Sequence, residues 1–68
     1  MKFTIEIEQE EDGRIIAEIP DLPGVLVYGK SRDEAILFAK ALALRVLADR
    51  IEHGEMVPEM SNVFSVAA

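Results

Sequence analysis

Three glutamates, Glu6, Glu8 and Glu18, are the side chains in this sequence best placed by type and spacing to do chemistry together. Clustered carboxylates can hold divalent ions that stabilise the attacking and leaving oxygens of an in-line displacement. Here, however, the three fall on the solvent side of alternating strand patterns, with no candidate second shell and no basic groove for a phosphate substrate. Metal-dependent catalysis is therefore not expected. The sole histidine, His53, has nothing near it in sequence to complete a triad, and its place in the last turn of a helix suits an imidazolium facing the macrodipole. Ser31 reads as a helix cap rather than a nucleophile. Tyr28 reads as a strand aromatic, because single-strand nucleic-acid binding wants several aromatics beside cations. The expectation is a protein that is not an enzyme, with no metal and no cofactor.

The elements that would carry the glutamates follow from periodicity. Phe3, Ile5 and Ile7 alternate with Thr4, Glu6 and Glu8, and Ile15, Ala17 and Ile19 alternate with Ile16 and Glu18. Both patterns have the period of a half-buried strand. For the apolar sets to share a face, Ile7 must pair with Ala17 and Ile5 with Ile19, leaving Glu11-Asp12-Gly13 as a three-residue loop. That register sets Glu6 opposite Glu18 and Glu8 opposite Ile16 on the outer face. Like charges directly across a ladder are unfavourable. One reading is a solvated face of a small sheet. The other is a docking face, on which Glu6, Glu8, Glu18 and Ile16 await the cations of a partner.

Pro20 ends the second strand, since it has no N–H to give a ladder. Leu22-Pro23-Gly24-Val25 suits a type II turn, with proline presetting the first central position and glycine accepting positive φ at the second. Asp21 and Leu22 on that rigid turn would make a preorganised docking pair. Alternatively Leu22 tucks beneath the sheet and Asp21 solvates the bend. Val25 to Tyr28 forms a short third strand, and Ser31-x-x-Glu34 is a capping box. A helix is predicted from Arg32 to His53, closed by Gly54 with Pro58 beyond.

Placed at 100° per residue, Ala35, Ile36, Ala39, Leu42, Ala43, Val46 and Leu47 form a stripe suited to the sheet. Leu37, Ala41, Leu44, Ala48 and Ile51 form a second stripe on roughly the opposite side, read as a subunit interface or, alternatively, as incidental surface apolars. Met56 and Met60, in the exit loop, suit gap-filling or an adaptable contact. The apolar Val63-Phe64-Ser65-Val66 reads as a fourth strand, returning to the sheet or adding to a partner's edge. The whole is an α+β fold: a small antiparallel sheet with one long helix packed on one face, order β-β-β-α-β, over a single domain of residues 1–68.

Sixty-eight residues bury a small core, and with no cysteine the remaining staple is oligomerisation. Residues 1–21 hold seven acids against Lys2 and Arg14, so −5 of the net −6 comes from under a third of the chain. Such a surface repels phosphate backbones and draws in basic partners. Direct nucleic-acid binding is not expected. Neither is a signal peptide or a membrane span, since apolar runs such as Ala41 to Leu44 are far too short. A soluble, cytoplasmic protein is the expectation.

Taken together, Met1-Lys2-Phe3-Thr4, the acidic turn ending Asp12-Gly13, Ile19-Pro20-Asp21-Leu22-Pro23-Gly24, Gly29-Lys30-Ser31 leading into Glu34-Ala35, and the Gly54-to-Pro58 exit resemble the HicB-like antitoxins over nearly the whole chain. The resemblance implies a partial ribonuclease H-like domain without attributed catalysis. It also implies a partner, a small basic HicA-like toxin that cleaves messenger RNA with a histidine. Occlusion by Glu6, Glu8, Ile16, Glu18, Asp21 and Leu22 would silence that toxin, while a homo-oligomer, dimer or tetramer, would form through Leu37, Ala41, Leu44, Ala48 and Ile51. Members commonly add a C-terminal DNA-binding domain. These residues contain none, so autorepression by this polypeptide alone is not expected.

Overall fold

The computed structural model describes residues 2–60 and 62–67. Three strands, β1 (Glu6–Gln9), β2 (Ile15–Glu18) and β3 (Leu26–Gly29), form an antiparallel sheet in the order β1-β2-β3. One helix, α1 (Arg32–Glu52), covers a single face, and a 3-10 turn, Pro58–Met60, follows it. The class is α+β, as the pattern of periods predicts.

The first hairpin has the predicted register, with Ile7 opposite Ala17, Glu6 opposite Glu18 and Glu8 opposite Ile16. Gly13 N–H donates to Glu10 O at 3.0 Å, and Gly13 takes φ 92°, so the three-residue loop closes on a left-handed glycine. The turn into β3 is also as expected. Val25 N–H donates to Leu22 O at 3.1 Å, and Gly24 at φ 94° supplies the positive φ of a type II turn.

Ser31 caps α1, its Oγ accepting from Glu34 N–H at 3.1 Å. The return half of the box is displaced by one residue: Glu34 Oε1 accepts from Lys30 N–H at 2.9 Å, not from the Ser31 N–H. At the other end Glu55 N–H reaches Arg50 O at 2.9 Å and Gly54 N–H reaches Ile51 O at 3.0 Å. These are the paired bonds of a Schellman ending, and Gly54 takes φ 74°.

The helix approaches the sheet unevenly. At its first half Ala35 and Ala39 of the helix and Ala17 of β2 form the fully buried contact, with Ile5, Ile7, Ile15 and Val27 half-buried around it. A Cβ on Gly29 would stand 2.5 Å from Ala35 N and 2.8 Å from its Cα, so glycine lets strand and helix backbones meet there. Under the second half the core widens around Ile19, Leu22, Val25, Ala43 and Leu47. Four-residue strands span only about 13 Å, against about 32 Å for a 21-residue helix. The overhang covers the Ile19–Val25 turn, with Val57 and Met60 of the exit packed against the same cluster.

The predicted fourth strand does not form. Residues 62–67 contain no strand; Ser61 and Ala68, the ends of that predicted segment, lie outside the described residues. Phe64 is 72% and Val66 94% exposed. The molecule measures 53 × 19 × 16 Å, about 20 Å longer than the helix alone. Ordering each residue costs about 1–2 kcal/mol of backbone entropy, and a segment that touches no edge has no burial to offset it.

Candidate protein-docking face

The two ladders together fix which side chains share the outer face. Ile16 pairs with Glu8 on one side and Tyr28 on the other, and Glu18 lies between Glu6 and Leu26. Two rows result, Glu6-Glu18-Leu26 and Glu8-Ile16-Tyr28. The β1 flank is acidic and the β3 flank apolar, with Leu26 46% and Tyr28 45% exposed and Ile16 half-buried at the centre. Glu6, Glu8, Ile16 and Glu18 line a shallow depression.

Arg14, a cation bordering this face, is already engaged. Arg14 Nε lies 2.7 Å from Asp12 Oδ2, and its guanidinium carbon sits 4.6 Å from the centroid of the Tyr28 ring. Arg14 N–H also donates to Asp12 Oδ1 at 3.0 Å. That backbone bond, followed by the guanidinium, holds the Asp12 carboxyl below its ordinary 3.8. Among the described residues the close opposite-charge contact is Arg14–Asp12, with the His53 ring against Asp49 at the helix end, so Glu6, Glu8 and Glu18 are left unneutralised. The arrangement suits recognition of a basic surface: carboxylates ready to pair, beside apolar area ready to be buried.

Glu6, Glu8, Ile16 and Glu18 thus come together on one face. Asp21 is exposed on the neighbouring turn. Leu22 is corrected: at 0% exposure it anchors the wide end of the core and has no surface to offer a partner. The type II turn folds it inward because the overhanging helix needs a large residue there. Leu26, Tyr28 and Arg14 belong to the face but were not among the expected residues. The signal was present in the alternation of Val25 and Val27 with Leu26 and Tyr28, which the second ladder converts into a face.

On the opposite side of the molecule, Leu37, Leu44 and Ile51 are 64%, 65% and 50% exposed, with Ala48 exposed and Ala41 half-buried between them. The sheet-facing stripe behaves as predicted, with Ala35, Ala39, Ala43 and Leu47 buried. His53 Nδ1 lies 2.8 Å from Asp49 O and 3.3 Å from Asp49 Oδ1, a local contact at the helix end. Among the described residues no group of three His, Cys, Asp or Glu could hold a metal ion, and no helix is long and apolar enough to cross a membrane.

The chain is 33% identical over 58 residues to a UPF0150 protein of Thermoplasma acidophilum, covering 85% of this chain and 84% of that one. The chain belongs to the UPF0150 family. A UPF0150 protein of Archaeoglobus fulgidus is 39% identical over 59 residues, covering 84% of this chain and 86% of its own length. These names state a family and no activity. No family model matches this UPF0150 chain, and no solved structure matches it.

Proposed function

We propose that this UPF0150 protein is an antitoxin-like binding protein that neutralises a small basic HicA-like mRNA-cleaving toxin by covering its RNA-binding surface. The observation that carries the reading is the outer sheet face: three carboxylates with no cation partner among the described residues, bordering Ile16, Leu26 and Tyr28. A toxin that grips RNA through Lys and Arg presents the complementary surface. Charge complementarity would speed encounter, and burial of the apolar row would slow release. Asp21 adds a carboxylate beside the face. The resemblance to HicB-like antitoxins supports the same partner class, a non-catalytic role in a partial ribonuclease H-like domain, and a place in the cytoplasm.

A second reading is favoured by a separate observation. The exposed Leu37, Leu44 and Ile51 suit self-association, so a stand-alone homo-oligomeric scaffold or ligand-binding module without a toxin is the alternative. Pull-down of the tagged protein from its native host at low and high salt separates the two. Antitoxin function requires a stoichiometric basic protein held at low salt and loosened as the screening length falls from about 8 Å at 0.15 M to about 3 Å at 1 M. Recovery of the tagged chain with only itself, at both salts, supports the scaffold.

A further inference from the structure

We propose that two copies of this chain pair their α1 helices antiparallel, each leucine of the outward stripe, Leu37 and Leu44, seating on an alanine of the other copy. The inference rests on that stripe being a subunit interface, adds its direction and register, and is independent of toxin capture on the far side of the sheet.

Leu37, Ala41, Leu44, Ala48 and Ile51 are separated by four, three, four and three residues. This is the 3.5-residue period of a coiled-coil seam, and it is outward-facing over two heptads. Within it the sizes alternate strictly, a large side chain at every seventh position and an alanine between. In a parallel pair, equivalent residues share layers, so leucine would crowd leucine while alanine faced alanine across a gap. Reversing one helix about an axis between Leu42 and Ala43 gives four alike layers. Leu37 meets Ala48 of the second copy, Ala41 meets its Leu44, and the two reciprocal contacts complete the set. Each layer then holds one large and one small side chain, which suits an even helix separation of about 8–10 Å.

The flanking charges choose the same direction. Lys40 lies on one flank of the stripe and Arg45 on the other. Parallel pairing brings Lys40 of one helix beside Arg45 of its neighbour, twice, which like charges resist. Antiparallel pairing instead sets Arg45 beside Phe38 of the second copy, an aromatic ring 48% exposed that can accept a guanidinium over its face. At the ends of the pair Ile51 falls opposite Glu34 of the second copy and Glu34 comes near Glu52, outside the four central layers. Burying Leu37, Phe38, Leu44 and Ile51 on both copies would remove roughly 1,000 Å² of surface in total, near the lower bound of specific interfaces. The assembly should therefore dissociate on dilution.

The test uses the full chain. Light scattering across concentration should give twice the chain mass or more, falling to the monomer on dilution, and Leu44→Glu should give monomer with an unchanged circular-dichroism spectrum. Ala41→Leu should raise the dissociation constant more than tenfold, because it overfills the layer opposite Leu44; a non-specific apolar contact or a parallel pair would tighten instead. The chain has no cysteine, so Asp33→Cys carries one spin label per copy. Pulsed electron resonance should give about 30 Å between labels in the antiparallel pair, from a rise of about 1.5 Å per residue. A separation below about 15 Å overturns the direction while leaving association intact, and a monomer at all concentrations overturns both.

Discussion

Replacing Glu18 by lysine should stabilise the fold while removing a charge from the acidic outer face of the sheet. Glu18 stands directly across from Glu6 in the hairpin ladder, with Leu26 on its other side, and neither carboxylate has a cation among the described residues. At about 6 Å in water two unit charges interact by about 0.7 kcal/mol, and physiological salt halves that. Reversing one charge removes the repulsion and adds an attraction of like size, about 0.5–1 kcal/mol, in line with cross-strand pairs elsewhere. For a domain of this length that is about 3–6 °C in Tm. Urea melts of Glu18→Lys and the native chain at 0.05 and 1 M salt would measure it. The gain should shrink at high salt. An unchanged or lowered midpoint at low salt would refute the reasoning that these carboxylates face each other unneutralised, and with it the idea that the face carries a folding cost.

Other substitutions probe separate parts of the account. Gly29→Ala places a methyl group 2.5 Å from the Ala35 backbone nitrogen and should cost about 1–3 kcal/mol by denaturant melting, since backbone atoms must move. Leu22→Ala should cost about 2–5 kcal/mol, enough to leave much of a domain this small unfolded, whereas Asp21→Ala should stay within about 0.5 kcal/mol; equal effects would contradict the inward placement of Leu22. The Asp12 carboxyl, held low by the Arg14 N–H and guanidinium, should titrate below 3.8 in an NMR pH series. Because its folded value is depressed, the order it lends the first hairpin turn is fully present above 3.8 and lost as pH falls through the lower folded value.

Most local structure was legible because single residues dictate it. Gly13, Gly24 and Gly54 each take the positive φ that their turns demand, and Ser31 caps as its spacing with Glu34 predicts. The first register followed from the need to put Ile7 and Ala17 on one face. What escaped the sequence depended on a second partner in space. Leu26 and Tyr28 join the outer face only through the ladder with β2, and Gly29 looks like an ordinary turn residue until the helix lies against it. Leu22 could not be assigned from its motif, because a rigid turn presents a leucine inward or outward with equal ease; the overhanging helix decides. The apolar tail has strand composition, yet composition supplies no edge, and Phe64 and Val66 stay in solvent.

In the proposed function the acidic outer face of the sheet silences a basic RNA-cleaving protein. Its most direct test titrates the basic protein recovered in the pull-down, while it cleaves RNA, with the native chain and with the double variant Glu6→Lys and Glu18→Lys. Cleavage should fall to background near one equivalent of the native chain and be untouched by the double variant, whose fold remains intact by circular dichroism. Equal suppression by both proteins, or no suppression by either, would contradict it.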